Sequence, residues 1–148
     1  MITCTFEDGG KGSQRHVVVD ALIVDKGKVL LIKRADHLTN GGKYAFPGGF
    51  LDRDETAEQA VVREALEETG YTVEVEKLFK IIDKPDRPQD DRQNIAFIYI
   101  VKSIGKTGEA DADSSEVKWF SLGDLPSEKE FAFDHYQTIQ EYKKKYIA

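Results

Sequence analysis

Only one cysteine, Cys4, occurs in 148 residues. A lone thiol closes no intramolecular disulfide and offers a metal too few soft ligands, so Cys4 is read as a strand residue. Long apolar runs are missing too: no stretch approaches the roughly 20 residues that a spanning helix needs. Met1 to Gly12 carries no basic segment leading into an apolar run, so no secretion signal is read there and the expected location is the cytoplasm. Positive charge is in deficit, with 21 Lys and Arg against 27 Asp and Glu and a net charge of −6. That balance argues against sequence-independent nucleic-acid binding, which draws its affinity from many cations meeting phosphates. It leaves small phosphorylated ligands open, because a few placed cations, or metal ions held by carboxylates, suffice for a diphosphate. The histidines His16, His37 and His135 lack metal-ligand spacing, so no zinc site is expected. Neither repeat nor glycine-serine linker divides the chain, and its length suits one core, so residues 1–148 are expected to form a single domain.

What is present reads as mixed α+β. His16 to Val24 and Val29 to Arg34 are rich in Val, Ile and Leu around the turn Asp25-Lys26-Gly27-Lys28, which predicts a β-hairpin. Tyr44 to Phe46 reads as a short strand. After the Pro47-Gly48-Gly49 break, Thr56 with Gln59 three positions later has the form of a capping box opening a helix, and Gly70 is its natural stop. Strands are expected near Val73 to Asp83, Ile95 to Val101 and Val117 to Ser121, with a last helix from Asp134 to Tyr146. Lys84 to Gln93 is polar and proline-bearing, the composition of a surface loop.

The helix over Ala57 to Thr69 carries the chemistry. At about 100° per residue, Val62, Ala65, Leu66 and Thr69 fall in one arc, expected to face inward. Glu64, Glu67 and Glu68 share a second arc through i,i+3 and i,i+4 spacings, where like charges oppose one another. A solvated acidic face is the ordinary explanation of such a triplet. Against it, no lysine among Ala57, Ala60 and Val61 on the same side neutralises the glutamates, and a bound cation would. Arg63 is suited to clamping a carboxylate or phosphate in bidentate fashion. Gly48 and Gly49 just upstream would let backbone approach phosphate oxygens.

From Gly49 the chain reads glycine, five residues, Glu55, seven residues, then Arg63-Glu64-Ala65-Leu66-Glu67-Glu68-Thr69-Gly70-Tyr71. This resembles the Nudix box, G-x5-E-x7-R-E-U-x-E-E-x-G-U, with all seven fixed letters in place. At about 7% per position, chance supplies seven matches with a probability on the order of 10⁻⁸. Ala65 and Tyr71 stand where the pattern prefers a bulky aliphatic residue. The resemblance implies the Nudix fold, a mixed β-sheet sandwiched between α-helices with a catalytic loop-helix-loop.

It also implies metal-dependent hydrolysis of a nucleoside diphosphate linked to another moiety, with Mg²⁺ or Mn²⁺ on the box glutamates. Mg²⁺ takes hard oxygen ligands, usually a few carboxylates with waters and phosphates, and makes a bound water more acidic. Glu67 and Glu68 are the implied ligands, with Glu64 as third ligand or as the base that activates water, and the Gly48 carbonyl as an extra ligand. Arg63 would orient a box glutamate, and Glu55 would reach the metal region or support the loop. Some family members take the base from another loop, which brings in Glu109, Asp111, Asp113 and Glu116.

Asp83-Lys84-Pro85-Asp86-Arg87-Pro88 with Asp91-Arg92-Gln93-Asn94 is similar to the proline- and arginine-bearing loop of ADP-ribose pyrophosphatases. It makes Arg87 and Arg92 expected substrate contacts. Gly49 and Arg34, the latter at the end of the hairpin, are candidates for the same site. Phe6, Tyr44, Phe46 and Tyr99 are read ordinarily as core, with stacking on a base as the alternative. As a plain sequence feature, the same stretch reads as a solvated loop with local Asp-Arg pairs. The implied partner is a small nucleoside-diphosphate substrate, not nucleic acid or membrane, and a homodimer is expected by analogy, with a contribution from Ile2 to Glu7. Competing expectations are release of pyrophosphate from nucleoside triphosphates, action on capped RNA or dinucleoside polyphosphates, and a non-hydrolytic ligand sensor.

Overall fold

In the computed structural model, which describes residues 1–90 and 92–147, the expected elements form in the expected order. Ile2–Thr5 (β1) and Lys11–Gln14 (β2) pair with each other as a separate two-stranded sheet. The main sheet holds Val17–Asp25 (β3), Lys28–Arg34 (β4), Tyr44–Ala45 (β5), Gly48–Phe50 (β6), Tyr71–Ile82 (β7), Ile95–Lys106 (β8) and Ser114–Ser121 (β9). Its main path runs β5-β4-β3-β8-β7, with β6 added to β3 and β9 to β4. The pairing of β3 with β8 is parallel and the others are antiparallel, so the sheet is mixed. Two helices complete the fold, Ala57–Thr69 (α1) and His135–Tyr146 (α2).

Strand β3 lies at the centre because nearly every residue of it is apolar and both its faces are covered. Val18, Leu22, Val29 and Leu31 pack with Ile139 of α2. Val19, Ala21, Ile23 and Leu30 pack with Ala60, Val61 and Ala65 of α1. The two-residue period of a strand thus divides one sequence between two helices and yields the sandwich. It also places Asp20, between Val19 and Ala21, on the α2 side of the sheet.

Along one edge, β3 pairs with β4 only from Ile23 to Asp25, while β6 pairs with Val18 to Asp20. The sheet therefore splits, and the cavity described below opens where β4 leaves β3. Helix α1 begins as its sequence predicts: Thr56 Oγ1 accepts the Gln59 N–H at 3.2 Å and Gln59 Oε1 accepts the Thr56 N–H at 2.8 Å. It ends at Gly70, whose φ of 76° suits glycine and whose missing Cβ would stand 2.2 Å from the Gly108 carbonyl.

Two expectations need correction. The inward face of α1 is centred on Ala60, Val61, Ala65 and Thr69, while Leu66 is 40% exposed. The helix meets the sheet through Ala60, Val61 and Ala65, so Val61 takes the place that periodicity assigned to Leu66. The 84–94 segment is also not a wholly solvated loop, because Arg87 and Asp90 are buried within it. Among the described residues no helix is long and apolar enough to cross a membrane.

The corrected helix face makes a test. Val61→Ala should cost about 2 kcal/mol, as a fully enclosed side chain leaves a void. Leu66→Ala should cost about 0.5 kcal/mol or less, as for other substitutions at exposed sites. Urea unfolding of both variants would check this, and the reverse order would restore the face read from periodicity.

Candidate active site

Arg63 organises the glutamates of α1. Its Nη1 donates to Glu64 Oε1 at 2.7 Å and to Glu67 Oε2 at 3.2 Å. On its other edge, Nε and Nη2 grip the two oxygens of Glu55 at 3.1 and 2.7 Å, and Nη2 also donates to the Phe50 carbonyl at 3.0 Å. Glu55 Oε1 accepts the Asp52 N–H at 2.8 Å, so Glu55 holds the loop before the helix. The paired guanidinium, followed by this N–H, keeps its carboxyl below the usual range.

The three glutamates stand in graded environments. Glu67 is exposed, and Glu64 is half-buried against Gly49, where a Cβ would lie 2.5 Å from its carboxylate. Glu68 is 6% exposed, and its Oε2 accepts the Gly48 N–H at 2.8 Å. Gly49 is thus required by the close approach of Glu64, and Gly48 by the Val19 carbonyl and Asp20 Oδ1, which would lie 2.2 and 2.6 Å from a Cβ there. The last turn of α1 holds no basic residue, so the carboxylates at its end also oppose the helix dipole. Burial, reinforced by Glu64 and Asp111, pushes the Glu68 carboxyl up to about 8 despite the Gly48 N–H. Burial also raises Glu64, with Arg63 opposing.

Glu64 and Glu68 face a cavity of about 270 Å³. Gly48, Gly49 and Phe50 of β6 form one wall with them, and Val18 and Asp20 of β3 lie with His135 at the sheet. The opposite side comes from Arg34, Leu38 and Thr39 and from the 84–94 loop, while Asp113 and Phe133 complete the rim. Among the described residues no three His, Cys, Asp or Glu side chains converge as a ready-made cage. The protein offers part of an oxygen shell, which suits a cation whose remaining ligands are waters and phosphates.

The other expected residues fall in different places. Arg34 lines the cavity, with its Nε donating to the Thr39 carbonyl at 2.7 Å, and Arg92 lines it beside Phe50. Arg87 lines it too, but its Nε and Nη2 both donate to Asp134 Oδ1, at 3.0 and 2.8 Å. Of the loop acids, Asp113 lines the cavity and lies 3.4 Å from His37. Asp111 is tied by its N–H to the Glu67 carbonyl, and Glu109 pairs with Lys106. Glu116 sits opposite Lys33 in the β4–β9 ladder, away from the cavity. Asp91 lies outside the described residues.

The aromatic candidates take their ordinary packing roles rather than stacking places at the cavity. Phe46 and Tyr99 belong to the core, Tyr44 packs on Phe120, and Phe6 lies over Gly12 in the N-terminal hairpin. The rings at the cavity are Phe50, stacked on His16 at 4.6 Å, and Phe133, with the Arg34 and Arg87 guanidiniums 5.4 and 5.2 Å from its centre. Phe133 has a φ of 55°, a backbone state uncommon outside glycine, and no sequence pattern announces it. Asp20 and His135 were also missed. The one available signal was a lone aspartate inside an otherwise apolar strand.

A family model described as "NUDIX domain" matches residues 14–142. An ADP-ribose pyrophosphatase of Methanocaldococcus jannaschii is 41% identical over 127 residues, which are 85% of this chain and 72% of that protein. A NUDIX hydrolase structure from Nitrosomonas europaea superposes with a TM-score of 0.80 at 26% identity, covering 93% of this chain and 76% of that one. A bifunctional NMN adenylyltransferase/ADP ribose pyrophosphatase from Francisella tularensis, complexed with AMP and Mn ion, superposes with a TM-score of 0.69 at 29% identity, covering 89% of this chain and 42% of that one.

The raised carboxyl of Glu68 predicts a pH dependence. Between its ordinary value of 4.5 and about 8, the folded state keeps a proton that the unfolded state has lost. Stability therefore falls as pH rises through that window. In the presence of a chelator, the melting temperature should drop from pH 5 to pH 8, and Glu68→Gln should flatten the drop. An equal slope in wild type and variant would assign the dependence to other groups.

Proposed function

We propose that this chain, which belongs to the NUDIX domain family and is one of its pyrophosphohydrolases, hydrolyses the diphosphate linkage of ADP-ribose or a related nucleoside-diphosphate sugar with a divalent metal ion. The products would be a nucleoside monophosphate and a sugar phosphate, AMP and ribose 5-phosphate in the case of ADP-ribose. The observation that carries this reading is the convergence of Glu64 and Glu68 on a cavity that also holds Arg34 and Arg92. The similarity to the M. jannaschii ADP-ribose pyrophosphatase supports the choice of substrate.

The donor set fits a hard cation. Glu64 and Glu68 supply carboxylate oxygens at the cavity wall, with Glu67 next to them on the exposed side. Mg²⁺ and Mn²⁺ accept such oxygens together with phosphate and water, and the Mn ion in the F. tularensis structure agrees with that chemistry. When bound, the metal would neutralise the diphosphate and acidify a water. Arg63 holds Glu64 and Glu67 toward the metal side while tying the 48–55 loop to the helix, so its role is orientation. Arg34 and Arg92 would grip phosphate oxygens, and Gly48 and Gly49 would admit the substrate close to the backbone. Glu64 or Asp113 would take the proton of the attacking water.

The test is a panel of ADP-ribose, nucleotide sugars, dinucleoside polyphosphates and nucleoside triphosphates with Mg²⁺ or Mn²⁺, with products identified. AMP release from ADP-ribose is expected, abolished by chelation and reduced about 10²-fold or more in Glu68→Gln and Glu64→Gln. A monophosphate and pyrophosphate from triphosphates, with ADP-ribose left intact, would keep the chemistry and reject the substrate.

A further inference from the structure

One polar group in the cavity is oriented by its neighbours and saturated by none of them. Asp20, at the floor, is 7% exposed, and its Oδ2 is sealed from solvent with no hydrogen-bond partner among the described residues. That oxygen lies 3.6 Å from His135 Nε2 and 3.8 Å from Arg87 Nη2, both beyond hydrogen-bond length. The His135 ring is fixed independently. Its Nδ1 accepts the Phe46 N–H at 3.0 Å, and the ring stacks on Phe46 at 4.4 Å. In the neutral imidazole the proton is then on Nε2, the nitrogen that faces Asp20. Nε2 is likewise buried without a partner. Arg87 spends its Nε and Nη2 on Asp134. The small part of the Asp20 side chain left open faces the cavity.

The charge around this floor is as informative as the geometry. Asp20, Asp90 and Asp134 surround the Arg87 guanidinium, and the other cation that Asp20 acts on, Arg34 of the cavity lining, is shared with Glu68 and Asp113. Asp90 is already occupied by the N–H groups of Arg92 and Asn94 and by the Asn94 amide. The floor therefore keeps excess negative charge, which repels a phosphate at close range. It accepts hydrogen bonds instead, so it is suited to an N–H or O–H donor on an uncharged part of a ligand.

We propose that Asp20 is a specificity-determining residue: it accepts a hydrogen bond from a neutral donor on the base or sugar part of the substrate and excludes a phosphate from the same position. His135 and Arg87 are positioning residues that hold the carboxylate in place. The inference rests on the function proposed above and extends it: with the distal sugar at the floor, a substrate ending in a sugar is favoured over one ending in a third phosphate, and with the base there, the identity of the base is selected. A site built around one buried acceptor discriminates strongly against an analogue that lacks the matching donor, since the acceptor is then left unpaired.

The experiment compares kcat/KM of wild type, Asp20→Asn and His135→Gln on ADP-ribose, on its 2′-deoxyadenosine, 3′-deoxyadenosine and distal deoxyribose analogues, on its inosine analogue, and on ATP. Melting temperatures and far-ultraviolet circular dichroism establish that the variants fold. Asp20→Asn should lower kcat/KM for ADP-ribose about 10–10²-fold. It should have little effect on the one analogue that lacks the donor bonded to Asp20, which identifies that donor as base amine or sugar hydroxyl, and, where the donor is a hydroxyl of the distal ribose that ATP lacks, it should raise ATP relative to ADP-ribose. His135→Gln should repeat the selective pattern more weakly, which keeps the inference testable should Asp20→Asn not fold. Loss by one common factor on every substrate, or no loss on any, would overturn it. If wild type does not cleave ADP-ribose, the proposed substrate fails. If wild type cleaves it and the variants show no selectivity, only the role of Asp20 fails.

Discussion

The site depends on one guanidinium. Arg63 makes hydrogen bonds to Glu55, Glu64, Glu67 and the Phe50 carbonyl, and so joins the loop before α1 to the acidic face of α1. Without it, three carboxylates on adjacent turns would repel one another, and Phe50 and Glu55 of the loop would lose their bonds to the helix. With it, Glu64 and Glu67 are held on their Arg63 side, while Glu68 is held separately by the Gly48 N–H. Helix and loop are thereby fixed as one rigid wall of the cavity. A site of this kind needs such a wall, because metal ligands and phosphate contacts act only when their positions are set beforehand.

The wall exists at the cost of local stability. Glu68 is buried with its carboxyl raised to about 8, and the glutamates lie at the unfavourable end of the helix dipole. The apolar residues of β3, packed on both faces, offset this strain. The split of the sheet beside β3 then provides the opening. Where β4 departs and β6 joins, strand backbone, glutamates, arginines and an aspartate meet around one space. The charge is divided within it, with carboxylates on the α1 side, arginines toward β4 and the 84–94 loop, and the unsaturated Asp20 at the floor.

The 84–94 loop shows how tertiary context changes the meaning of a composition. Polar and proline-bearing, it has the signature of a solvated surface. In the structure Arg87 turns inward to Asp134 at the start of α2, and Asp90 caps the N–H groups of Arg92 and Asn94. Gln89 is bonded to Asn40, Lys43 and Phe133. The loop is a strap fastened at both sides of the cavity. Arg87, expected to grip substrate, lines the cavity while two of its nitrogens are bonded to Asp134.

Sequence alone determined the order of the larger strands and both helices, though not β2 or β6, the second of which read as a break, together with the start and stop of α1 at Thr56 and Gly70 and the box from Gly49 to Tyr71. These are local matters: cap chemistry, the left-handed backbone that glycine adopts at least cost, and i,i+3 and i,i+4 spacing act within a few residues. The exact inward arc of α1 was not legible, because it depends on the angle at which the helix meets β3, so Val61 took the place given to Leu66. Nor was the cavity floor legible. Asp20, Arg87, Phe133 and His135 are separated by tens of residues, and each is unremarkable in its own neighbourhood. Only the mixed sheet, laying β3 beside β6 and β8 and bringing the start of α2 beneath them, places their side chains together. Recognition chemistry that depends on such long-range contacts is decided by the tertiary structure.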